Sequence, residues 1–415
     1  QPEVARTGCR SAIGSDPCIA QQGLSGPFPI SARPTFDRGL LFPLMLFAAV
    51  ACPGKDHAGR HFVLSRMRPW RSLRRVSKAK GSAMMNTQII LANRPVGVPG
   101  PEHFERREVP VGLPGEGEVL IRVTHWSVDP AMRGWANDVP NYSPPVALGD
   151  PMRSFGVGEV LKSRHPDYAE GDVVHGLFGW QTHKISDGSE ISRKVTETDL
   201  PRSYALGIMG LNGVTAYFGL RESCAAKAGD TVVVSTGAGA VGSAVGQIAK
   251  IMGCRTVGIA GGAEKRRACI EDFGYDAAID YKSQDVGGAL AEACPDGVDC
   301  YFDNTCGPIS DAVMEHLALG ARITICGTAA VTDWNPTPMG PRVHRQLLVA
   351  RARMQGFLAF DYADRTEEAL AALAGWLREG ELTVREHFLD GPEAAMDAIG
   401  MLYRGENTGK LIVRV

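Results

Sequence analysis

The sequence predicts an α/β protein in which a β-rich domain is followed by a doubly wound parallel sheet. From Met85 to about Gly207, short strand-like runs such as Gly117 to Val123 alternate with turns rich in proline and glycine. From about Ile208 the pattern changes to apolar strands separated by helices of roughly ten to fifteen residues, which is typical of βαβ units. Four continuous apolar runs are predicted to be strands buried on both faces: Thr231 to Ser235, Thr256 to Ala260, Cys300 to Asp303 and Ala321 to Cys326.

The composition excludes several classes of protein. The 415 residues suffice for roughly two to three domains, and with 44% hydrophobic and 22% charged residues the chain is neither collagenous nor membrane-spanning. The formal charge of -2 is unevenly divided, because residues 1–83 carry 13 Lys and Arg against 4 Asp and Glu, whereas the rest carries 31 against 42. The acidic body lacks the clustered positive charge that nucleic-acid binding requires.

Residues 1–84 form a basic segment without sustained helical or strand periodicity, and we expect it to be a disordered extension or translated upstream sequence. Its apolar run, Leu40 to Cys52, is 13 residues long and too short for a spanning helix. A secretory signal remains an alternative for this run, and a nucleic-acid or membrane tail remains one for the basic residues Arg66 to Lys80. Met84 or Met85 is the expected natural start.

Seven cysteines follow Met84, and none of them forms a Cys-x2-Cys pair or stands beside a second ligand group at zinc spacing. We interpret them as reduced, small apolar residues, which favours a cytoplasmic location over a disulfide framework. Cys306 and Cys326 stand near predicted strand ends, but no histidine stands at a recognisable partner position. Packing is therefore preferred to a nucleophilic role.

A glycine loop connects the first buried strand to a helical run from Ser243 to Met252. The loop residues expected to bind a cofactor are Gly237, Gly239, Ala240, Val241 and Gly242. Between a strand and a helix, these glycines permit a tight turn and a close approach of the backbone to a pyrophosphate, while the helix N-terminus offers N–H donors. A tight turn with no ligand is the alternative.

The second strand ends in Ala260, Gly261 and Gly262, where an NAD-binding protein usually has an acid that binds the ribose hydroxyls. Without that acid nothing repels a 2'-phosphate, and Lys265 follows in the next helix. The sequence therefore favours NADPH over NADH. Glu264 is explained by the dipole of the helix first turn, and a solvated surface position is the alternative for Lys265.

Four motifs occur in order and resemble a known family. They are Ser127 to Gly134 (SVDPAMRG), Gly213 to Leu220 (GVTAYFGL), the Gly237 to Gly242 loop and Gly405 to Lys410 (GENTGK). Together they are similar to the zinc-independent medium-chain dehydrogenases/reductases, namely the prostaglandin/leukotriene, plant double-bond and bacterial curcumin reductases. The bacterial subgroup is the most similar, through Asn141 to Pro145 and Ala352 to Phe357.

The resemblance implies a GroES-like substrate domain over residues 85–207, a Rossmann domain over 208–361 and a C-terminal return to the substrate domain over 362–415. It also implies a homodimer. Related alcohol dehydrogenases hold zinc through a cysteine near the position of Ser127 and a Gly-His-Glu farther on, and neither ligand set occurs here. No metal is therefore expected.

The resemblance and the NADPH assignment together predict hydride transfer to the β-carbon of an α,β-unsaturated ketone or aldehyde. A quinone reductase of the same superfamily and a catalytically silent NADPH-binding protein remain as alternatives. The substrate is a small molecule in either enzymatic case.

By the same resemblance, Lys265 and Tyr281 flank the 2'-phosphate, Asn304 and Gly327 lie on the nicotinamide side, and Asn407 forms the far wall of the cofactor cleft. Tyr142 is the candidate proton donor or enolate ligand, with an aromatic packed beneath a proline-rich loop as the alternative.

Two further features concern the substrate pocket. Many relatives have a tyrosine shortly after the Ile-Cys-Gly strand end, where this chain has Thr332 to Asn335 (TDWN). Asp129 and Arg133 either fix the loop above the nicotinamide or form only a local turn and salt bridge.

Overall fold

The computed structural model describes residues 84–139 and 141–415. The strands of the first half are Met85–Leu91 (β1), Phe104–Pro110 (β2), Val119–Ser127 (β3), Gly156–Ser163 (β4), Val173–Gly176 (β5), His183–Ser186 (β6) and Ile191–Lys194 (β7). Those of the second half are Thr231–Ser235 (β8), Arg255–Ala260 (β9), Ala277–Asp280 (β10), Val298–Asp303 (β11), Leu317–Ile325 (β12), Arg353–Gly356 (β13), Glu386–Asp390 (β14) and Lys410–Arg414 (β15). The α-helices are Ala131–Trp135 (α1), Leu211–Phe218 (α2), Ala240–Ile251 (α3), Ala263–Glu271 (α4), Val286–Ala293 (α5), Gly307–Met314 (α6), His344–Ala350 (α7), Thr366–Glu379 (α8) and Ala395–Arg404 (α9).

A six-stranded parallel sheet is formed in the order β10-β9-β8-β11-β12-β13. Its central strands are apolar throughout because both faces are buried. Val232 and Val234 of β8 belong to one core cluster, which contains α2, α3 and α8, whereas Val233 between them belongs to the cluster on the other face. The strand order reverses between β8 and β11, and this reversal opens a crevice at the carboxyl ends of the strands. The predicted doubly wound fold is confirmed.

The second sheet has seven strands in the order β14-β15-β3-β4-β5-β7, with β6 also paired to β3. Its core is built around Trp126 and Trp180, both fully buried. Strand β15 pairs antiparallel with β3, so the last residues of the chain complete the sheet that β3 begins, while β1 and β2 form a separate antiparallel pair. The β-rich part of the predicted fold is therefore also confirmed.

The helix α8 packs in the core of the parallel sheet, and the chain joins the other sheet only with β14. The division at residues 84, 207 and 361 stays a prediction. The predicted extension 1–84, with the Leu40 to Cys52 run, lies outside the described residues apart from Met84. Within the described ranges, no helix is both long and apolar enough to cross a membrane.

Candidate active site

The candidate cofactor residues lie together at the carboxyl ends of the parallel strands. Parallel strands all end on the same side, so the segments that follow β8 to β12 emerge together beside the crevice. These segments contain the glycine loop, Lys265, Tyr281, Asn304 and Gly327. The structure thus brings together the residues that the sequence predicted from separate motifs.

The glycine loop is closed too tightly for side chains at two of its positions. A Cβ atom on Gly242 would lie 2.1 Å from Thr236 O, and one on Gly237 would lie 2.9 Å from the Cα atom of Gly258. The helix α3 begins at Ala240, and its preceding residue Gly239 provides no side-chain cap. The first N–H groups of α3 therefore point to the crevice edge free to bind an anion.

The residues that follow the end of β9 are Gly261 and Gly262, and neighbouring residues rather than an acidic side chain at these positions define the shape of this tip. A Cβ atom on Gly261 would lie 2.8 Å from the Tyr281 ring, so this ring packs directly on the glycine. The carboxylate of Asp280 accepts bonds from the N–H groups of Gly262 at 2.7 Å and Lys282 at 3.0 Å. These backbone donors, Gly262 first, hold the pKa of Asp280 low. The Asp280 carboxylate therefore stabilises the turns that follow β9 and β10.

Lys265, in the first turn of α4, is half-buried, and Lys282 directly follows Tyr281 and is exposed; neither has a carboxylate within ion-pair distance in the described part of the chain. Burial first, and the positive charge of Lys282 second, lower the pKa of Lys265. Glu264, the potential partner, instead lies 3.4 Å from the guanidinium of Arg385. A half-buried ammonium group without a carboxylate in direct contact is suited to binding an anion. Sequence reasoning missed Lys282, although its position directly after Tyr281 could have suggested it.

Hydrogen bonds and close backbone packing hold the carboxyl ends of β8, β11 and β12 together. Asn304 donates from its backbone N to Ser235 Oγ and from Nδ2 to Ser235 O, both at 2.8 Å. A Cβ atom on Gly327 would lie 2.9 Å from Asn304 O. The carboxylate of Asp303, fully buried, accepts from the N–H groups of Thr305 and Cys306. The result is a rigid, closely packed wall on the predicted nicotinamide side.

The two cysteines at these strand ends are poor nucleophiles. Burial, followed by the negative charge of Asp303, raises the pKa of Cys306 to about 11 and that of Cys326 to about 12. Both therefore remain thiols at neutral pH, and a thiol is far less reactive than a thiolate. All seven cysteines of the described chain are free.

The C-terminal segment crosses in front of the glycine loop. Asn407 is buried and donates from Nδ2 to Gly409 O at 2.8 Å. A Cβ atom on Gly405 would lie 3.7 Å from Lys265 Nζ. A narrow cavity beside it is lined by Ala238 of the glycine loop, Lys265, Thr408 and Gly409, among others. The segment containing Asn407 thus faces the cofactor residues from the other sheet.

Tyr142 lies on the loop that covers α1. Arg153 holds this loop by donating to Ser143 Oγ at 2.9 Å and to Pro144 O at 2.6 Å. The Tyr142 side chain is 55% exposed, which is more than a ring packed beneath the loop would show. Partial burial, with a smaller effect from the negative charge of Asp129, raises the pKa of Tyr142. The phenol is therefore neutral at physiological pH and can donate a proton or a hydrogen bond.

A second tyrosine, which sequence reasoning missed, lies in the same neighbourhood. The hydroxyl of Tyr403 donates to Pro130 O at 3.2 Å, and burial raises the pKa of Tyr403 to about 12. The spacing of Tyr403 and Tyr142 in the sequence does not predict that the two residues lie near each other, so their proximity follows only from the fold.

In the stretch Thr332 to Asn335, where relatives have a tyrosine, Trp334 is largely exposed.

Asp129 and Arg133 differ in their surroundings. Asp129 forms an ion pair of 2.5 Å with Lys410, which is nearly three hundred residues away in sequence. This contact is more than the local turn that was left open as an alternative. Arg133 is buried, and Nη1 donates to Asn137 Oδ1.

Within the described residues, no group of three or more His, Cys, Asp and Glu side chains is arranged to hold a metal ion. Comparison with known proteins nonetheless gives two family matches, one described as the N-terminal domain of oxidoreductase over residues 87–194 and one as zinc-binding dehydrogenase over residues 240–375. The first range falls in the antiparallel part of the fold and the second in the parallel sheet.

Individual relatives match over most of the chain. The NADPH-dependent curcumin reductase of Escherichia coli strain K12 is 43% identical over 337 residues, covering 80% of this chain and 97% of the relative. The 2-alkenal reductase (NADP(+)-dependent) of Nicotiana tabacum is 37% identical over the same length, with the same coverage of both chains. The solved structure of CurA in complex with NADPH from Vibrio vulnificus is 42% identical, with a TM-score of 0.75, and covers 79% of this chain and 99% of that one. This chain therefore belongs to the medium-chain dehydrogenase/reductase family, in the group that contains these reductases.

Proposed function

We propose that this protein uses NADPH to reduce the C=C bond of α,β-unsaturated ketones and aldehydes. The relatives named above are NADPH-dependent reductases, and one of them acts on 2-alkenals. The observations that carry the cofactor assignment are the half-buried Lys265, which has no carboxylate within ion-pair distance in the described residues, Lys282 directly after Tyr281, and Gly261, on which the Tyr281 ring packs. A 2'-phosphate neutralises both ammonium groups, whereas an unphosphorylated ribose neutralises neither.

The residues of the crevice fit this cofactor. The free N–H groups of α3 and the glycines without room for a Cβ suit a pyrophosphate. Tyr281 and Lys265 would flank the 2'-phosphate, Asn304 and Gly327 would border the nicotinamide, and Asn407 would form the far wall of the cleft. When bound, NADPH supplies a hydride from the nicotinamide C4 position.

The chain's own contribution is to stabilise and protonate the substrate. Hydride addition at the β-carbon moves the C=C electron pair toward the carbonyl, and negative charge develops on its oxygen. The neutral hydroxyl of Tyr142 donates a hydrogen bond to that oxygen, and the α-carbon then takes a proton from Tyr142 or water. The product is the saturated ketone or aldehyde.

The test is NADPH oxidation by the full chain under anaerobic conditions, with 2-alkenals, enones and quinones as separate substrates. We expect NADPH to be consumed with the unsaturated carbonyls and the saturated carbonyl to accumulate in equal amount. Consumption with quinones alone would support the quinone reductase alternative. Tight NADPH binding without turnover of any of these substrates would support the catalytically silent one.

Replacing Tyr142 with phenylalanine is expected to lower kcat for an enone about tenfold. A preorganised donor can be worth more, but Tyr142 is 55% exposed and water can partly replace it. Because the pKa of Tyr142 is raised, the protonated donor persists to a higher pH than an ordinary phenol, so kcat of the unaltered protein should fall only in the strongly alkaline range. The pH profile of Tyr142→Phe should lack that alkaline decline. An identical decline in both proteins would remove Tyr142 from the mechanism.

We also propose that the reaction needs no metal. The described residues offer no cluster of ligands, and the charge on the substrate oxygen is met by a hydroxyl in this mechanism. Turnover should therefore be unchanged after prolonged dialysis against EDTA. Loss of activity that added Zn²⁺ restores would contradict this.

A homodimer is proposed on the evidence of an open sheet edge. Among residues 84–139 and 141–415, strand β13 pairs only with β12, and its four residues are exposed. The nearby helix α7 exposes Leu348 by 77% and Val349 by 60%. An unpaired edge beside apolar side chains favours strand pairing with a second copy.

A cytoplasmic location is proposed because the cysteines of the described chain are free.

The dimer can be tested by introducing charge at this edge. We expect Leu348→Glu with Val349→Glu to shift the protein from dimer to monomer in sedimentation velocity, because two buried carboxylates per subunit would oppose association. Leu113→Glu is the matched control, since Leu113 is 83% exposed and lies before β3. A monomer in the unaltered protein would contradict the proposal directly.

A further inference from the structure

A buried ion pair joins the start of β15 to the loop that precedes α1. Lys410 is 3% exposed, and Nζ contacts Asp129 Oδ1 at 2.5 Å, Ser127 Oγ at 2.7 Å and Val128 O at 3.1 Å. The ammonium group has three N–H donors, and all three are used. The other oxygen of Asp129 accepts a bond from Ser127 Oγ.

Stability alone is a weak reason for such a pair. Removing an ammonium and a carboxylate from water is costly, and apolar side chains of similar volume often serve the fold equally well. What an ion pair with four fixed contacts does provide is one defined geometry. Its position in the fold shows which parts of the molecule it aligns.

On one side the pair controls the loop that supports Tyr142. Ser127 ends β3, and the backbone N–H of Met132, in the first turn of α1, donates to the main-chain carbonyl of Asp129 at 3.0 Å. The Tyr142 loop packs on α1, since a Cβ atom on Gly134 would lie 3.2 Å from Asn141 Nδ2. The charge of Asp129 also contributes to the raised pKa of Tyr142.

On the other side the pair controls the two segments that border the cofactor. Lys410 follows Gly409, which lines the cavity beside the glycine loop, and Asn407 bonds to Gly409 O. Asn212, at the start of α2, donates from Nδ2 to Asp129 Oδ1 at 3.4 Å. The helix α2 packs against α3 in the core of the parallel sheet. The pair therefore lies where both sheets and the crevice between them meet.

We propose that Lys410 is a positioning residue for hydride transfer. Its pairing with Asp129 fixes the Tyr142 loop relative to the Asn407 segment, and so fixes the enone relative to the nicotinamide. The inference rests on the proposed function. Displacements of about 1 Å between reacting atoms can cost about 10²-fold in rate, so a rigid link at this junction has a large effect on turnover.

The test separates alignment from stability with a double-mutant cycle of Lys410→Met, Asp129→Asn and the two together. Each single variant leaves one buried charge unpaired, so we expect a lower urea midpoint and a kcat reduced at least tenfold. The Kd for NADPH should stay within threefold. In the double variant both charges are gone, so the urea midpoint should recover toward the original value while kcat stays low.

A matched control is available on the side of the parallel sheet away from the crevice. Arg322 and Asp230 form an ion pair near the amino ends of β12 and β8, with side chains 15% and 5% exposed. The variants Arg322→Met and Asp230→Asn should lower the urea midpoint and leave kcat within twofold. If they reduce kcat as much as Lys410→Met does, or if kcat recovers with stability in the Lys410 and Asp129 double variant, the pair is only structural.

A second measurement does not depend on turnover. The fluorescence of bound NADPH reports the surroundings of the nicotinamide, and we expect Lys410→Met to change its emission intensity at saturating cofactor while Kd is retained. If the unaltered protein reduces no enone, the proposed function fails. In that case an altered emission still supports the positioning role of Lys410, and an unaltered emission overturns it.

Discussion

Replacing Lys265 and Lys282 together with alanine should raise the Kd for NADPH by about 10²–10⁴ and leave that for NADH nearly unchanged. Hydrogen bonds to a charged group contribute about 1.5–3 kcal/mol each, and about 1.4 kcal/mol corresponds to tenfold in affinity. The two ammonium groups have no carboxylate partner in the described chain, and burial and Lys282 already lower the pKa of Lys265. A 2'-phosphate gives both ammonium groups an anionic partner and an unphosphorylated ribose gives them none, so the loss should be confined to the phosphorylated cofactor.

Isothermal titration calorimetry with each cofactor measures both constants. Arg267→Ala provides the control, because Arg267 lies on the same helix, is exposed and approaches Glu271 at 3.8 Å instead of the strand tip. We expect its Kd values to remain within threefold. An equal loss of NADH and NADPH affinity in the double variant would show that the lysines support the fold of the tip rather than a 2'-phosphate.

The sequence could predict those parts of the cofactor site whose structure depends on residues close together in the chain. A glycine loop between a buried strand and a helix has a defined backbone geometry, and Gly237 and Gly242 stand where no Cβ fits. The absence of an acid at Gly261 is likewise a local feature. The prediction of four apolar strands succeeded because β8, β9, β11 and the end of β12 are buried on both faces.

The missed strands lack that burial. Strand β13 lies at the sheet edge with all four residues exposed, so no apolar run marks it. Strand β10 has only four residues at the other edge. Neither produces the continuous pattern from which central strands are recognised.

The missed site residues depend on contacts between distant segments. Lys410 and Asp129 come together only because β15 pairs with β3, and Tyr403 reaches Pro130 only because α9 packs beside α1. The resemblance to a family named the segment around Asn407 but not the ion pair three residues later. Long-range pairing of this kind has no signature in residue spacing, and it requires the topology.

Replacing Gly242 with alanine is expected to reduce the stability of the protein by about 3 kcal/mol and to abolish measurable NADPH binding. The added Cβ would lie 2.1 Å from Thr236 O and 3.1 Å from the Cα atom of Gly237, and these are backbone atoms that cannot rotate away. The same carbonyl of Thr236 accepts the 2.8 Å bond from Gly239 N that closes the loop. Relief of the clash therefore separates α3 from the end of β8, and overpacking of a rigid site typically costs about 1–3 kcal/mol or more.

Gly375→Ala is the matched control, because Gly375 is also a helical glycine, in α8, but a Cβ there meets no atom within 4 Å. That substitution should stabilise the protein by about 0.4–1 kcal/mol through the lower entropy of the unfolded chain. Urea unfolding of both variants, with calorimetric titration of NADPH, measures the contrast. If Gly242→Ala unfolds at the original midpoint and binds NADPH normally, the loop can open without cost. The close approach of backbone to pyrophosphate, on which the whole crevice assignment depends, would then be wrong.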